Sequence, residues 1–281
     1  NEIKKINKLK LVSIDEDDLY KDGLLNCLGP SRKMFYSMKT RKIIKESETN
    51  LLNIAIEKEN VEIAEILLKQ KDIDVNIQSN IYVNEQTGFM ESTTMKTKIS
   101  SLNIAAEREN VAIVKLLLIN ENIDVNSKSL IINSYANLSV KSEKSALIIA
   151  IERNNSEIVD LLLKHPNIDI ETKLCIDYEP FFYFDRKIKI EKTALMLTEK
   201  NDYEIAKILL SKNSLDVNKK CIIRDERYFC NDDHYYYSSY NEETALHIAV
   251  EKGYNKTAEL LLSRIDIDIN VLSNSVVYKS K

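Results

Sequence analysis

The residues best suited to chemistry are Cys221, Cys230 and His234, with Asp232 and Asp233 between them. Thiolate, imidazole and carboxylate groups are the usual ligands of zinc, but C-x8-C-x3-H is not a recognised zinc spacing, and a structural zinc takes four ligands. A disulfide within this segment is one alternative, and a thiol pair beside a surface histidine is another. From this spacing we predict no metal, and we expect no cofactor.

No catalytic motif occurs in the sequence. The patterns G-x-x-x-x-G-K-[ST], G-x-G-x-x-G, G-x-S-x-G and H-E-x-x-H are missing, and the chain has only four glycines with which to build a phosphate-binding loop. His165 ends a predicted helix, where the helix dipole favours a cation. Carboxylates are plentiful, but one Asp recurs in each of five repeats, which indicates architecture. We therefore expect the chain not to be an enzyme.

Composition argues against several kinds of partner. The chain has 40 Lys and Arg against 44 Asp and Glu, a net charge of −4, so that nucleic acid is a poor fit. No apolar run approaches the roughly 18 residues of a membrane helix, and the N-terminus lacks the apolar core of a secretory signal. Four scattered cysteines fit a reducing compartment. We predict a cytoplasmic protein with no membrane, nucleic-acid or small-molecule partner.

A fivefold internal repeat dominates the chain. Its units begin at anchoring leucines 50, 45, 48 and 51 residues apart: Leu52, Leu102, Leu147, Leu195 and Leu246. Each unit reads as two short helices, the second with apolar residues at i, i+3 and i+4, and it ends in Asp-Val-Asn or a close variant. Because one such unit cannot bury its apolar face alone, the pattern predicts a stack of units.

The last unit resembles an ankyrin repeat. Its opening, Thr244–His247, matches T-P-L-H with Ala in place of Pro, and Ala249, Gly253, Leu261–Leu262 and Asp268–Asn270 also fall at consensus places. The period exceeds the roughly 33 residues of ankyrin repeats, because each junction carries extra residues. The resemblance implies a mainly α fold: an ankyrin-type α-solenoid of helix-turn-helix repeats, with long β-hairpin inserts, called fingers, between the units.

What this resemblance implies for individual residues is limited. His247 would hydrogen-bond the hydroxyl of Thr244, which is a structural role. Family members typically bind protein partners through the finger tips and the concave face of the first helices. Where this chain departs from the consensus, at a first helix one residue short with Thr198 in place of Ala, we expect the fourth unit to be locally irregular.

The predicted boundaries divide the chain into an N-terminal segment, 1–47, and five ankyrin-like repeats at about 48–97, 98–142, 143–190, 191–241 and 242–281. The N-terminal segment is interpreted as a degenerate capping repeat or as a finger. Val271–Lys281 either begins another finger or belongs to an array that continues in a longer parent protein. The first residue is not Met, which fits a fragment or a processed form.

The fingers concentrate the aromatic residues, holding 14 of the 20 in the chain. One interpretation is that they pair across the strands of the hairpins. The other is that the finger tips present them to a protein partner, as hot-spot residues often do. The protein-binding residues predicted on this basis are Tyr82, Phe89, Tyr135, Phe181, Phe182, Tyr183, Phe184, Tyr235, Tyr236 and Tyr237.

The function predicted from these features is a non-enzymatic protein-protein interaction scaffold. Finger tips and a concave helical face would be presented to a protein partner. Two alternatives stay open: a structural or cytoskeletal component of a larger permanent assembly, and the regulatory part of a longer multidomain protein.

Overall fold

Helix caps explain where each unit begins. The computed structural model describes residues 42–87, 91–134, 138–180, 186–198, 203–230 and 234–280. In four units the first helix starts just after an N-cap side chain that accepts a hydrogen bond from the backbone N–H three residues on: Asn50, Ser100, Ser145 and Thr244. These short polar side chains satisfy helix N–H groups that would otherwise lack a partner.

Each unit consists of two antiparallel helices. Unit 1 contains α1 (Leu51–Glu57) and α2 (Val61–Leu68), unit 2 contains α3 (Ser101–Glu107) and α4 (Val111–Leu118), and unit 3 contains α5 (Ala146–Glu152) and α6 (Ser156–Leu163). Unit 4 contains a single-turn 3-10 helix (Leu195–Leu197) and α7 (Tyr203–Leu210), and unit 5 contains α8 (Ala245–Lys252) and α9 (Asn255–Leu262). The irregularity expected in unit 4 is confirmed, since its first helix is reduced to one turn.

Four fingers connect the units. Finger 1 is β2 (Gln78–Thr87) with β3 (Glu91–Ser100), finger 2 is β4 (Lys128–Ser134) with β5 (Leu138–Ser145), finger 3 is β6 (Lys173–Pro180) with β7 (Arg186–Thr193), and finger 4 is β8 (Lys220–Cys230) with β9 (His234–Thr244). Two further strands flank them, β1 (Lys42–Glu48) and β10 (Asn274–Ser280). The strand β10 begins where a further finger would begin, which is one of the two alternatives for the C-terminal segment.

The fingers do not stand apart as separate hairpins. All ten described strands form one antiparallel sheet in the order β1 to β10. Ile131 of β4, for example, lies opposite Ser142 within its own finger and opposite Thr97 of the preceding one. Equivalent residues of successive fingers therefore form straight rows across the whole sheet.

The prediction of a mainly α solenoid is wrong. In the part of the chain that the structure describes, strands hold 87 residues and helices 72. The prediction treated each insert as a separate hairpin attached to a stack of helices. In the structure the inserts hydrogen-bond to one another and make a second continuous layer, since antiparallel strands in a common register satisfy each other's backbone groups.

One hydrophobic core runs through all five units. It contains four of the five anchoring leucines: Leu52, Leu102, Leu147 and Leu195. The fifth, Leu246, is half-buried and packs against the edge of the core. The core also includes residues from the base of the fingers, namely Ile99, Leu174 and Cys221. Helices and sheet are therefore packed as two parts of one body. No helix in the described part of the chain is long and apolar enough to cross a membrane.

The turn between the two helices of a unit requires a left-handed residue. Gly253 takes this conformation in unit 5 with φ of 70°, and non-glycine residues take it in three other units: Glu59, Glu109 and Asn154, with φ of 54–55°. A side chain in this conformation costs about 1–2 kcal/mol, which glycine avoids. Gly253 is the residue best suited to the turn, as the sequence indicates.

A ladder of amide side chains links the ends of successive units. The Asn76 side chain donates to Asn122 O at 2.7 Å and accepts from Asp124 N at 2.7 Å. Asn126 repeats this pair of bonds to unit 3, and Asn218 repeats it to unit 5. The Asp of each ending caps its own turn, as Asp74 does for Asn76 N. The recurring Asp is therefore architectural, as predicted.

Candidate protein-binding face

The two faces of the sheet differ in chemistry because side chains alternate along each strand. Two rows on one face consist mainly of apolar residues. The first row contains Ile81, Thr97, Ile131, Ser142, Ile176, Ile190, Ile223 and Asn241, and the second contains Val83, Met95, Asn133, Val140, Tyr178, Ile188, Asp225 and Ser239. These sixteen residues are called here the apolar face.

The apolar side chains of this face are half-buried, so that each keeps part of its surface in contact with solvent. They run without interruption from β2 to β8. At about 4.8 Å between strands, this is a strip about 30 Å long. A contiguous, partly exposed apolar strip of this size marks a surface suited to contact with another macromolecule. Asp225 is the one charged residue in the two rows, and it is buried.

The opposite face is charged and is called here the charged face. Its two rows contain Tyr82, Lys96, Ile132, Lys141, Asp177, Lys189, Arg224 and Tyr240, and then Asn80, Lys98, Leu130, Glu143, Cys175, Glu191, Ile222 and Glu242. Many of these charges are paired along or across strands, which favours a face that stays in water.

The ion pairs of the charged face shift carboxyl pKa values. Lys141 Nζ lies 2.9 Å from Glu143 Oε1, and its hydrogen bond lowers the pKa of Glu143 below the ordinary value. Lys189, at 3.0 Å, lowers the pKa of Glu191 in the same way. Cys175 lies among these residues, and burial raises the pKa of its thiol. A thiol that stays protonated is a poor nucleophile and a poor metal ligand.

The apolar face is turned toward the first helices. Lys144 lies directly opposite Ser129 and so shares this face, and its Nζ reaches Glu152 Oε2 at the end of α5, 2.7 Å away. Arg153 also pairs with Glu107 of the preceding unit. Charged groups at the ends of the first helices therefore border the apolar strip on its helical side.

The structure describes few of the aromatic residues predicted to bind a partner. Tyr82 lies on the charged face, where Lys96 Nζ is 5.9 Å from its ring centroid. The backbone of Tyr235–Tyr237 lies in β9, opposite Phe229, Tyr228 and Arg227 of β8. Phe89, Tyr135 and Phe181–Phe184 lie outside the described residues. Tyr82 and Tyr178, both finger aromatics, are thus placed on opposite faces and not in one site.

The residues considered for zinc are spread along one hairpin. Cys221 is buried at the base of β8, and Cys230 lies nine residues further along the same strand, about 30 Å away at the strand rise. His234 is opposite Cys230 across the finger. Cys221 and Cys230 therefore cannot share a metal or a disulfide. In the residues that the structure describes, no cluster of three His, Cys, Asp or Glu could hold a metal.

His247 has the structural role that the resemblance implies. Its backbone N–H donates to Thr244 Oγ1, and its Nδ1 accepts from the backbone N–H of Thr244 at 3.3 Å, which together form a capping box at the start of α8. Nδ1 also lies 2.8 Å from Thr244 Oγ1. The ring is therefore fixed to the helix end through Nδ1.

Paired helices, stacked through a common core and joined by hairpins, define a helical-repeat protein with a finger at each junction. A family model of ankyrin repeats, spanning three copies, matches residues 81–174, 102–221 and 184–272. The chain belongs to the ankyrin-repeat family. No curated protein sequence matches it significantly. Unit 1 lies mostly before the matched residues, yet its caps, left-handed turn and asparagine ladder repeat those of the other units.

The apolar face was missed by reasoning from the sequence, which concentrated on aromatic clusters. Its signal is visible in the strand segments. Ile81 and Val83 alternate with polar residues in finger 1, and Ile188 and Ile190 alternate with lysines in finger 3. Such alternation is typical of strands with one apolar side. The apolar sides of separate fingers join into one strip only because neighbouring fingers pair with each other. This pairing cannot be inferred from the sequence of a single finger.

Proposed function

We propose that this protein is a non-enzymatic scaffold that binds a protein partner along the apolar face of its sheet. The observation that carries the proposal is the strip of half-buried apolar side chains that runs across the sheet from β2 to β8. Ankyrin repeats generally mediate protein-protein interaction, and membership of the family supports the proposal to that extent. The chemistry of the face calls for a partner that offers an apolar or amphipathic surface.

The mechanism is rigid presentation. The fingers pair with one another and are rooted in the helical core, so little conformational entropy is lost when a partner binds. Charged groups at the ends of the first helices, such as Glu152 and Arg153, would lie at the rim, where they set orientation more than affinity. Tyr235–Tyr237, near the end of β9 that lies farthest from the helices, keep their place in the proposal as a second binding element.

No catalytic role is part of the proposal, and the proposed compartment is the cytoplasm. Cys175 and Cys221 are free thiols in the structure, which fits a reducing environment.

The test compares two adjacent isoleucines on opposite faces. Ile131 lies on the apolar face and Ile132 on the charged face, and both are half-buried. The wild-type protein and the variants Ile131→Lys and Ile132→Lys would be used to capture partners from a cell lysate, with circular dichroism confirming the fold. We expect Ile131→Lys to lose a partner that Ile132→Lys retains. Equal retention by both variants would show that the apolar face is not the binding surface.

A third variant separates the face from the tips. Tyr235, Tyr236 and Tyr237 changed together to Ser leave the apolar strip between β2 and β8 intact. Loss of the partner by this variant, with retention by Ile131→Lys, would move the binding site to the finger tips.

A further inference from the structure

The apolar strip is continuous because its two rows complement each other. Thr97 interrupts the first row, but Met95 fills the second row on the same strand. Asn133 interrupts the second row, but Ile131 fills the first. Every strand from β2 to β8 contributes at least one apolar residue in this way. A partner on this strip would therefore meet apolar side chains at every strand and few groups that form hydrogen bonds.

The backbone beneath the strip has no free edge to offer a partner. The strands β2 to β8 each pair with a neighbour on both sides, so a partner cannot extend the sheet here. An extended peptide lying across these strands would place its own N–H and C=O groups against apolar side chains, where they would lack hydrogen-bond partners. An α-helix satisfies its backbone groups internally and presents side chains alone. The strip therefore favours a helical partner.

The strip also has the dimensions of one helix. Its length of about 30 Å corresponds to about 20 helical residues at about 1.5 Å each. Its width is limited on β7, where Ile188 and Ile190 lie between Arg186 and Lys192 on the same face. Because Lys192 comes six residues after Arg186, their backbones are about 20 Å apart. One helix, about 10–12 Å wide, fits between these two cations.

The charges that border the strip differ between its two ends. The border residues of a strand lie on the apolar face, two positions before and after its residues in the strip. On β2 and β3 they include no cation, being Ser79, Glu85, Thr93 and Ile99. On β7 and β8 they include three cations and no acid, being Arg186, Lys192, Cys221 and Arg227. Asp225, buried within the strip, offsets one of these three charges.

The arrangement of these cations favours a bound anion. Arg186 lies directly opposite Arg227 in the register of β7 and β8. Like charges directly opposite each other destabilise a sheet, and a carboxylate placed beside them would relieve the repulsion. Lys192, on the other border of β7, is half-buried and lies opposite the buried Leu174. The end of the strip at β7 and β8 therefore attracts acidic groups.

We propose that the apolar face binds an amphipathic α-helix of about 20 residues, which lies across the strands with its C-terminal end over β7 and β8. Apolar residues of the helix at i, i+3, i+4 and i+7 contact the strip. Carboxylates in its last turns contact the border cations, and the negative end of the helix dipole adds to this attraction. The inference rests on the function proposed above, because it names the partner of the same face.

Selection from a random library tests the helix without assuming its sequence. Phage-displayed peptides of about 20 residues are selected on the immobilised 281-residue chain and then tested on Ile131→Lys. We expect the peptides that depend on Ile131 to have apolar residues with a period of about 3.6 and acids in their C-terminal third. An apolar period of 2, or acids with no preference for the C-terminal third, overturns the inference. If no selected peptide depends on Ile131, the function proposed above fails as well.

The strand β7 offers matched variants for the charges. Arg186→Glu and Lys192→Glu reverse a charge at the two borders of the strip. Lys187→Glu makes the same change on the charged face, where Lys187 is exposed and lies opposite Glu226. In fluorescence anisotropy, each border variant should bind a selected peptide about 5-fold more weakly, and Lys187→Glu should bind it as the wild type does. Equal losses for Arg186→Glu and Lys187→Glu would contradict the proposed position of the acids.

A charge swap determines which end of the helix lies over β7. Changing the C-terminal acids of the peptide to Lys should restore its binding to Arg186→Glu and weaken its binding to the wild type. Restoration by Lys at the N-terminal end instead means the opposite direction and overturns the inference. Circular dichroism confirms that each variant is folded and records the bound peptide, and a bound peptide without a helical signal also overturns it.

Discussion

Removing a buried hydroxyl group between units 1 and 2 should destabilise the protein, whereas adding one at the equivalent place between units 2 and 3 should stabilise it. Ser101 is the first residue of α3, and its Oγ donates to Oδ1 of the fully buried Asn53 at 2.6 Å. Asn103 is the equivalent of Asn53 in unit 2, but Ala146 replaces the serine that would face it. The Oδ1 of Asn103 consequently has no hydrogen-bond partner, although it is buried.

The expected magnitudes come from the cost of an unpaired buried polar atom. Ser101→Ala would leave Asn53 Oδ1 in the condition of Asn103 Oδ1, at a cost of about 1–3 kcal/mol. Ala146→Ser would give Asn103 the bond that Asn53 has, and we expect it to stabilise the protein by about 0.5–1.5 kcal/mol. Asn103 keeps its donor bonds to Ser127 O and Lys144 O in both cases, so only the acceptor changes.

Urea unfolding followed by circular dichroism measures these differences, and hydrogen exchange of the amides in α1, α3 and α5 shows where they act. Because repeat arrays can lose cooperativity, the local measurement is needed beside the global one. The matched control is Ala245→Ser. Ala245 opens α8 as Ala146 opens α5, but the position that would face it in unit 4 is Met196, which offers no amide acceptor.

We expect Ala245→Ser to destabilise the protein, since it buries a hydroxyl without an acceptor in the preceding unit. The reasoning would be refuted if Ala146→Ser lowered stability as much as Ala245→Ser does. It would also be refuted if Ser101→Ala had no effect, since the bond to Asn53 would then contribute nothing.

Three further outcomes are expected. Gly253→Ala should lower the free energy of unfolding by about 1 kcal/mol through backbone strain alone, because no atom lies within 4 Å of the added Cβ. Glu109→Gly should raise the free energy of unfolding by a similar amount at the equivalent turn, and thermal unfolding measures both changes. Asn126→Ala removes two bonds between units and should lower stability by about 1–2 kcal/mol in urea unfolding, with protection from hydrogen exchange lost first between units 2 and 3. Since Lys141 lowers the pKa of Glu143 in the folded state, the stability from this pair is complete above the ordinary pKa of about 4.3 and is lost as the pH falls through the lower folded value. Glu143→Gln should flatten that part of the curve of stability against pH, and an unchanged acid limb would contradict it.

Local features of the fold could be predicted from the sequence because they depend on few residues. The left-handed turn at Gly253, the cap made by Thr244 with His247, and the irregularity of unit 4 each follow from a short stretch of chain. The hairpins were also predicted from the inserts. For the turn, the cap and unit 4 the decisive interactions join residues within a few positions of one another, and for each hairpin they join residues of a single insert.

The sheet could not be predicted in the same way. Pairs such as Thr97 with Ile131, or Ile190 with Ile223, join different fingers, and they form only because every finger leaves its unit in the same register. The common register is seen when the sequences of all the fingers are aligned on their helix caps. The sequence of one insert does not show it. The apolar face and the error in fold class have the same origin.

The aromatic residues named as a binding site stay a prediction, since most of them lie outside the described residues or have no described side chain. The aromatic clusters drew attention to the finger tips, whereas the continuous apolar surface consists mainly of isoleucine and valine nearer the base. Tyr82 is on the charged face, because it is one residue out of phase with Ile81 and Val83. A shift of one residue along a strand reverses the face, so residue type alone could not place it.

The common register also separates what can vary in this protein from what cannot. The register of each finger is fixed from the helix caps. Two residues added at a tip would therefore lengthen each strand by one residue and leave every row nearer the helices in place. The strands already range from seven residues in β4 to eleven in β8 on this plan. A single residue inserted near a base would instead turn one strand over and break the apolar strip there. Tips can therefore diversify in length and composition while the lower rows stay aligned, so that recognition can change without rebuilding the sheet.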